Sequence, residues 1–370
     1  MRQDSLPAGF YVHVPFCVKK CAYCDFVSFP NREGDILRYL SALVAEMDLR
    51  APLPRIDTVF FGGGTPSLPP PDFVPAVLEA LRARTEIEPG AEITCEANPG
   101  TLTAEHVLAW KRAGVNRLSI GAQAAQESLL ETLGRLHRWR DVEEAAALWG
   151  DARSLSLDLM YGLPGQTQGE WEGTLAAAVA LRPGHLSCYS LIVEEDTPLS
   201  HSIETGTLGL PDEDAERAMY GAAVEKLAVA GYRHYEVSNW ARGNRVCLHN
   251  LHTWQRREYV GIGCAAASFV AGRRTVNLQE LDRYMLCVEH GELPLTDRVL
   301  LSREDALYEE LMLGLRLTEG VELSREAWER YGAKLRAMRG LVEVSGSAVR
   351  LTSRGMDVMN AVLVELMELR

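Results

Sequence analysis

Three cysteines stand close together near the start of the chain, in the stretch FYVHVPFCVKKCAYCDF that begins at Phe10. Cys17, Cys21 and Cys24 form a C-x3-C-x2-C run just past an apolar segment and a Pro15 break. Thiolates are metal and cluster ligands, and at this spacing one loop can turn all three sulfurs toward a common point. Three ligands rather than four is the informative feature. A four-iron cluster held by three protein thiolates leaves one iron with an open position, where a small molecule can bind directly. The alternatives, three small buried residues or a stray disulfide, fit poorly with three cysteines inside eight positions.

The pattern around that loop indicates what positions it. Short β-rich apolar runs at 10–14, 58–61, 92–96, 117–120, 156–160, 186–192 and 234–237 alternate with amphipathic stretches. The latter, at 35–49, 71–84, 103–113, 139–149, 168–181 and 212–230, carry apolar residues at helical spacing. Strand–helix repetition predicts an α/β fold with a parallel sheet and helical crossovers. About six units over ~230 residues predict an open, partial (β/α)6 barrel, TIM-like but incomplete.

Ligands of such sheets sit at the C-terminal ends of the strands, and polar or glycine stations fall there. Gly62-Gly63-Gly64-Thr65 follows the second strand, where glycines let backbone approach a ligand. Glu96 ends the third, a carboxylate suited to a ribose diol or an ammonium group. Gln123 follows the fourth. Asp158 interrupts the apolar fifth, and a buried aspartate needs a partner or a ligand.

Composition sets the outer bounds. The 370 residues are 47% hydrophobic, enough for a barrel-sized core and a small second unit. No run reaches the ~18 apolar residues of a membrane span. The start, MRQDSLPAGF, lacks a signal-peptide pattern, so a cytoplasmic location is expected and the eight cysteines are read as reduced. A net charge of −13 disfavours nucleic acid as a partner.

Together the cysteine run, the F-G-G-G-T-P-S, L-G-R-L-H and D-L-M-Y-G-L-P-G-Q motifs and the partial barrel resemble the radical S-adenosylmethionine (radical SAM) enzymes. The likeness is to the oxygen-independent coproporphyrinogen III oxidase branch and covers nearly the whole chain. It implies a 4Fe-4S cluster on Cys17, Cys21 and Cys24, with S-adenosylmethionine on the open iron. It implies that Tyr23 lies near the adenine and that Tyr11, Gly63, Gly64, Thr65, Glu96, Gln123, Arg135 and Asp158 belong to the cofactor surroundings. The decarboxylating oxidases of the branch carry a fourth cysteine where this chain has Phe26, and a longer segment before the cluster. Both departures resemble instead the heme chaperones of the same branch. That resemblance implies heme binding and delivery to apo-hemoproteins such as respiratory enzymes. It also implies peripheral association with membrane proteins and is compatible with a homodimer. Oxidative decarboxylation of coproporphyrinogen III is the alternative function; whether the chain is an enzyme is left open.

Beyond a first unit at 1–240, residues 241–297 read as a connecting segment with a second cluster of imidazoles, thiols and an indole. His249, Asn250 and Trp254 keep the chaperones' H-N-x-x-Y-W pattern, with Thr253 replacing its tyrosine. His249 and His252 are candidate heme ligands and Cys247 a weaker one. Residues 298–370 are expected to form a small unit: helices at 304–316, 325–331 and 333–339, a hairpin at 341–351 and a last helix through Leu369. The arrangement is winged-helix-like, but slightly more acidic than basic residues argue for a lid or docking unit rather than a DNA reader.

Overall fold

In the computed structural model, which describes residues 6–367, six strands run parallel in sequence order. They are β1 (Ala8–Val14), β2 (Ile56–Gly63), β3 (Ile87–Ala97), β4 (Arg117–Gln123), β5 (Leu155–Tyr161) and β6 (His185–Ser190). The helices Ile36–Leu49, Phe73–Arg82, Ala104–Ala113, Trp139–Trp149 and Gln168–Ala180 cross between them. Local chemistry supports each helix. Thr103 accepts from the His106 amide, and Thr167 forms a reciprocal capping box with Glu170.

Alternation along the strands separates two environments. In β1, Phe10, Val12 and Val14 are fully buried against the helical layer, while Tyr11 and His13 turn inward. The outward set packs with Leu43, Leu78, Trp110, Trp149 and Trp171 into one core. Truncating any of those tryptophans would cost about 3–5 kcal/mol. The inward positions are polar: Thr58, Glu92, Thr94, Glu96, Arg117, Ser119, Ser156, Asp158, His185 and Ser187. Asp158 interrupts an apolar run because that run alternates between core and lumen.

Further strands extend both edges, giving a mixed sheet of twelve among the described residues. On one side β7 (Arg233–Glu236) and β8 (Asn239–Ala241) form a tight hairpin whose second strand pairs antiparallel with β6. The run expected at 234–237 is therefore not a further parallel unit: the two residues between β7 and β8 are too few for a crossover. On the other side β9 (Tyr259–Ile262) lies parallel to β1, followed by the antiparallel β10 (Ala267–Val270), β11 (Arg273–Asn277) and β12 (Leu295–Leu300). The stretch 241–297 is thus part of the sheet. Its anchor is the fully buried Glu46, which accepts from Gly263 N, Asn277 Nδ2, Tyr284 Oη and Arg50 Nε at 2.6–2.9 Å.

The C-terminal residues build a second core around Leu311, Leu315, Tyr331, Leu335, Val349 and Leu366. Ser302 and Asp305 cap its first helix, Arg303–Gly314, reciprocally. Helix Arg325–Ala337 is continuous, where two helices were expected. Tyr331 and Leu335 both face this core, and Gly332 packs under the Trp328 ring, so packing overrides the weak helix propensity of glycine. Strands Val321–Glu322, Val342–Ser345 and Ala348–Leu351 form a small sheet, and helices Ser353–Asp357 and Met359–Met367 follow. The expected end at Leu369 lies outside the described residues. No described helix is long and apolar enough to cross a membrane.

Candidate functional site

The six parallel strands end on one rim, and a cavity of about 320 Å³ opens there. Cys17, Cys21 and Cys24 line it from one loop. That loop is held at both ends. Phe16–Cys17 pairs with Phe29–Pro30, and the Ala22 amide donates to Leu133 O at 2.9 Å. From β2, Gly64 N donates to Val14 O and Thr65 N to Phe16 O, each at 2.8 Å. This approach requires glycine: a Cβ on Gly64 would lie 2.7 Å from Val14 O. Gly63 has φ +104°, and a Cβ there would run into the His13 ring.

Ten other sequence-expected positions can be placed against these cysteines. Tyr23, Phe26, Gly63, Gly64, Thr65, Glu96, Gln123, Arg135 and Asp158 line the same cavity; Tyr11 does not. Thr65 Oγ1 lies 3.5 Å from Cys17 Sγ and accepts from Asn98 Nδ2 at 2.9 Å. Arg135 donates to Cys21 Sγ at 3.6 Å, Gly121 O at 2.6 Å and Asn98 Oδ1 at 2.8 Å. Burial pushes the Cys24 thiol up to about 11. Phe26 stands 67% exposed on the rim.

Two carboxyl groups share the floor. Burial, then the neighbouring Asp158 charge, raise Glu96 to about 8, against the pull of the Gly63 amide. Burial also raises Asp158. Hydrogen bonds from Ser187 and from Ser119 Oγ, the latter at 3.0 Å, together with Arg117 and Arg135, oppose that rise. Gln123 takes a left-handed conformation, φ 63°, as β4 ends. Asn98 and Tyr189 also line the cavity; both fall in the strand-end stretches 97–100 and 188–190 that the sequence marks as polar stations, without being singled out as site residues. Asn98 joins Thr65 to Arg135, and Tyr189 is 40% exposed toward the cavity. Asn98 stands two residues past Glu96, so its strand-end position was a usable signal.

Tyr11 lies deeper in the lumen, its hydroxyl 3.0 Å from His13 Nδ1 and its ring stacked on Phe60. The second cluster sits at the other end of the barrel. Helix Leu248–Trp254 closes the mouth where the strands begin. Glu92 accepts from Leu248 N at 3.2 Å and His249 N at 3.1 Å. His249 Nδ1 is 3.0 Å from Thr58 Oγ1, and the ring stacks on Phe60 at 5.1 Å. Burial pushes this imidazole down to about 3. His252 is wedged between Asp57 and Arg257, and burial is the main cause of its fall to about 4. Neither imidazole projects a nitrogen into the cysteine cavity, because both are held as struts of this plug. Asn250 is half-buried on the same helix, and Trp254 carries the Arg316 guanidinium over its ring at 4.3 Å.

Among the described residues no group of three His, Cys, Asp or Glu side chains is spaced for a single metal ion. A four-iron cluster makes a different demand, since each thiolate ligates a separate iron. Three free thiols on one pinned loop, a glycine-lined wall and an adjacent guanidinium fit that group.

The comparisons agree with this geometry. Residues 11–178 match the Radical SAM superfamily, and residues 301–358 the HemN C-terminal domain. A Bacillus subtilis protein named heme chaperone HemW is 36% identical, covering 96% of this chain and 99% of its own length. An Escherichia coli protein of the same name is 40% identical over 70% of this chain and 69% of its own. The solved structure of coproporphyrinogen III oxidase (HemN) from Escherichia coli, a radical SAM enzyme, superimposes with a TM-score of 0.85 at 22% identity. It covers 99% of this chain and 91% of that one. The chain belongs to the radical SAM superfamily, in its oxygen-independent coproporphyrinogen III oxidase-like branch and within that the HemW family.

Proposed function

We propose that this protein is a heme chaperone that carries a 4Fe-4S cluster on Cys17, Cys21 and Cys24, binds S-adenosylmethionine beside it, and passes heme to apo-hemoproteins such as respiratory enzymes. The observation that carries the choice within the branch is Phe26. It is an exposed aromatic side chain on the cavity rim at the position of the oxidases' fourth cysteine. A phenyl ring lacks the polar thiol of that position and offers an apolar face to a flat macrocycle. The names of the relatives that match across most of the chain support the same reading.

Cys17, Cys21 and Cys24 would hold a cluster that, once reduced, can supply one-electron chemistry beside the bound cofactor. The chain's own residues would do the rest. Glu96 and Asp158 offer carboxylates to cationic and hydroxyl groups of the cofactor, and Arg135 balances thiolate charge. Tyr23 and the glycine wall leave room for a flat base. The plug made by Leu248–Trp254 closes the far mouth against water.

The test is anaerobic reconstitution followed by heme titration. The expected result is about one heme per chain with a Soret band, and transfer to an apo-hemoprotein. Protein that neither retains heme nor transfers it refutes the proposal. Formation of protoporphyrinogen from coproporphyrinogen III, with reductant and cofactor, would establish the oxidase instead.

A further inference from the structure

One buried side chain of the cysteine cavity has a hydroxyl without a partner. Ser28 lines that cavity and is 7% exposed, and its Oγ makes no hydrogen bond within the chain. A buried hydroxyl left unpaired costs about 1–3 kcal/mol, and alanine would fill the position without that cost, so serine here needs a reason. Backbone contacts fix where Ser28 stands. Phe29 N donates to Pro15 O at 2.7 Å, and Phe29–Pro30 pairs with Phe16–Cys17. On its other side Val27 O accepts from His13 Nε2 at 2.8 Å, and the same His13 ring packs on Gly63. Ser28 therefore lies at the seam between the cysteine loop and the glycine wall, away from the carboxyl groups that β3 and β5 bring to the floor.

The three thiols already have donors of their own. Thr65 Oγ1 accepts from Asn98 Nδ2, which leaves its hydrogen for Cys17 Sγ at 3.5 Å. Arg135 donates to Cys21 Sγ at 3.6 Å. Cys24, raised by burial, is drawn back by a hydrogen bond from the Phe26 amide. Among the described residues that line the cavity, the buried polar side-chain atoms left over are Ser28 Oγ and Arg135 Nε. Both can donate. Two unpaired donors beside three thiols call for acceptors that no protein group supplies there. A four-iron cluster brings such acceptors as its inorganic sulfides, and hydrogen bonds to those sulfurs help to set its reduction potential. Arg135 is held in place through its other nitrogens, to Cys21, Asn98 and Gly121. The Ser28 hydroxyl has no such tie and can turn its hydrogen to a sulfide.

We infer that the Ser28 hydroxyl donates a hydrogen bond to an inorganic sulfide of the cluster held by Cys17, Cys21 and Cys24, and so makes that cluster easier to reduce. This rests on the cluster reading above and adds a residue that tunes it. A donor beside sulfur draws electron density toward itself, so it stabilises the reduced form more than the oxidised one.

The experiment compares full-length wild type, Ser28→Ala and Ser28→Thr after anaerobic reconstitution. Each is titrated with dithionite in the presence of redox mediators, and the reduced cluster is counted by electron paramagnetic resonance. Ser28→Thr keeps the hydroxyl and should share the wild-type midpoint. Ser28→Ala should be about tenfold harder to reduce, a shift of roughly 59 mV to the negative side for one electron, with iron content and affinity for S-adenosylmethionine unchanged. An alanine variant with the wild-type midpoint overturns the inference. If that variant instead binds S-adenosylmethionine about tenfold more weakly at an unchanged midpoint, the hydroxyl serves the cofactor and the inference also falls. Failure of the alanine variant to assemble a cluster overturns it too, because the residue is then structural. Wild type without iron–sulfur absorbance defeats the cluster reading itself, a result distinct from any of these.

Discussion

Glu96 gives a quantitative handle on the site. Its carboxyl is displaced from an ordinary 4.5 to about 8, chiefly by burial and then by Asp158. The folded state therefore holds a proton that the unfolded chain has released. Its contribution to stability is fully present below pH 4.5 and is lost as pH rises from 4.5 to about 8. At ~1.4 kcal/mol per pH unit, the loss reaches about 1 kcal/mol near pH 5 and up to about 5 kcal/mol near pH 8.5. Glu96→Gln keeps the shape and removes the ionisation. Urea unfolding of cluster-free protein should show the variant more stable than wild type, by about 4 kcal/mol more at pH 8.5 than at pH 5. The same substitution should weaken binding of S-adenosylmethionine at pH 8.5, because a cationic ligand is what offsets a buried carboxylate. A stability difference that is the same at both pH values would refute the burial argument.

Other consequences follow from single residues. Replacing any one of Cys17, Cys21 or Cys24 by alanine should abolish the iron–sulfur absorbance after anaerobic reconstitution, while the thermal midpoint of cluster-free protein barely moves; surviving absorbance would remove the cluster assignment. Glu92→Ala uncaps helix Leu248–Trp254 and takes the carboxylate away from buried Arg117, so urea unfolding should report a loss of about 3–5 kcal/mol. A loss under about 1 kcal/mol would mean that the plug is not held there. Gly63→Ala combines a left-handed backbone with a Cβ directed into His13 and should cost about 2 kcal/mol or more, read as a lowered thermal midpoint.

Much of the cavity wall was legible in the chain. Parallel β–α units put every strand's C-terminal end on one rim, so Gly63, Glu96, Gln123 and Asp158 were bound to meet near a loop that follows β1. Cysteine spacing, which is local, announced cluster chemistry without reference to the fold. What the sequence could not tell was which end of the barrel a distant segment would reach. Residues 248–254 carry imidazoles and an indole that, read from sequence, suggest a heme site, yet Glu92 caps their helix at the opposite mouth, and His249 and His252 become buried struts. Tyr11 lies two residues before His13, and only the strand's alternation turns it into the lumen below the cavity. Arg316 is the extreme case. It lies 62 positions beyond Trp254 in sequence, and only the pairing of its backbone with Val237 brings its charge over that indole. Periodicity and spacing determine local structure and the polarity of a sheet. Which remote segments close the barrel is decided by long-range burial and hydrogen-bond satisfaction, which no local window of sequence contains.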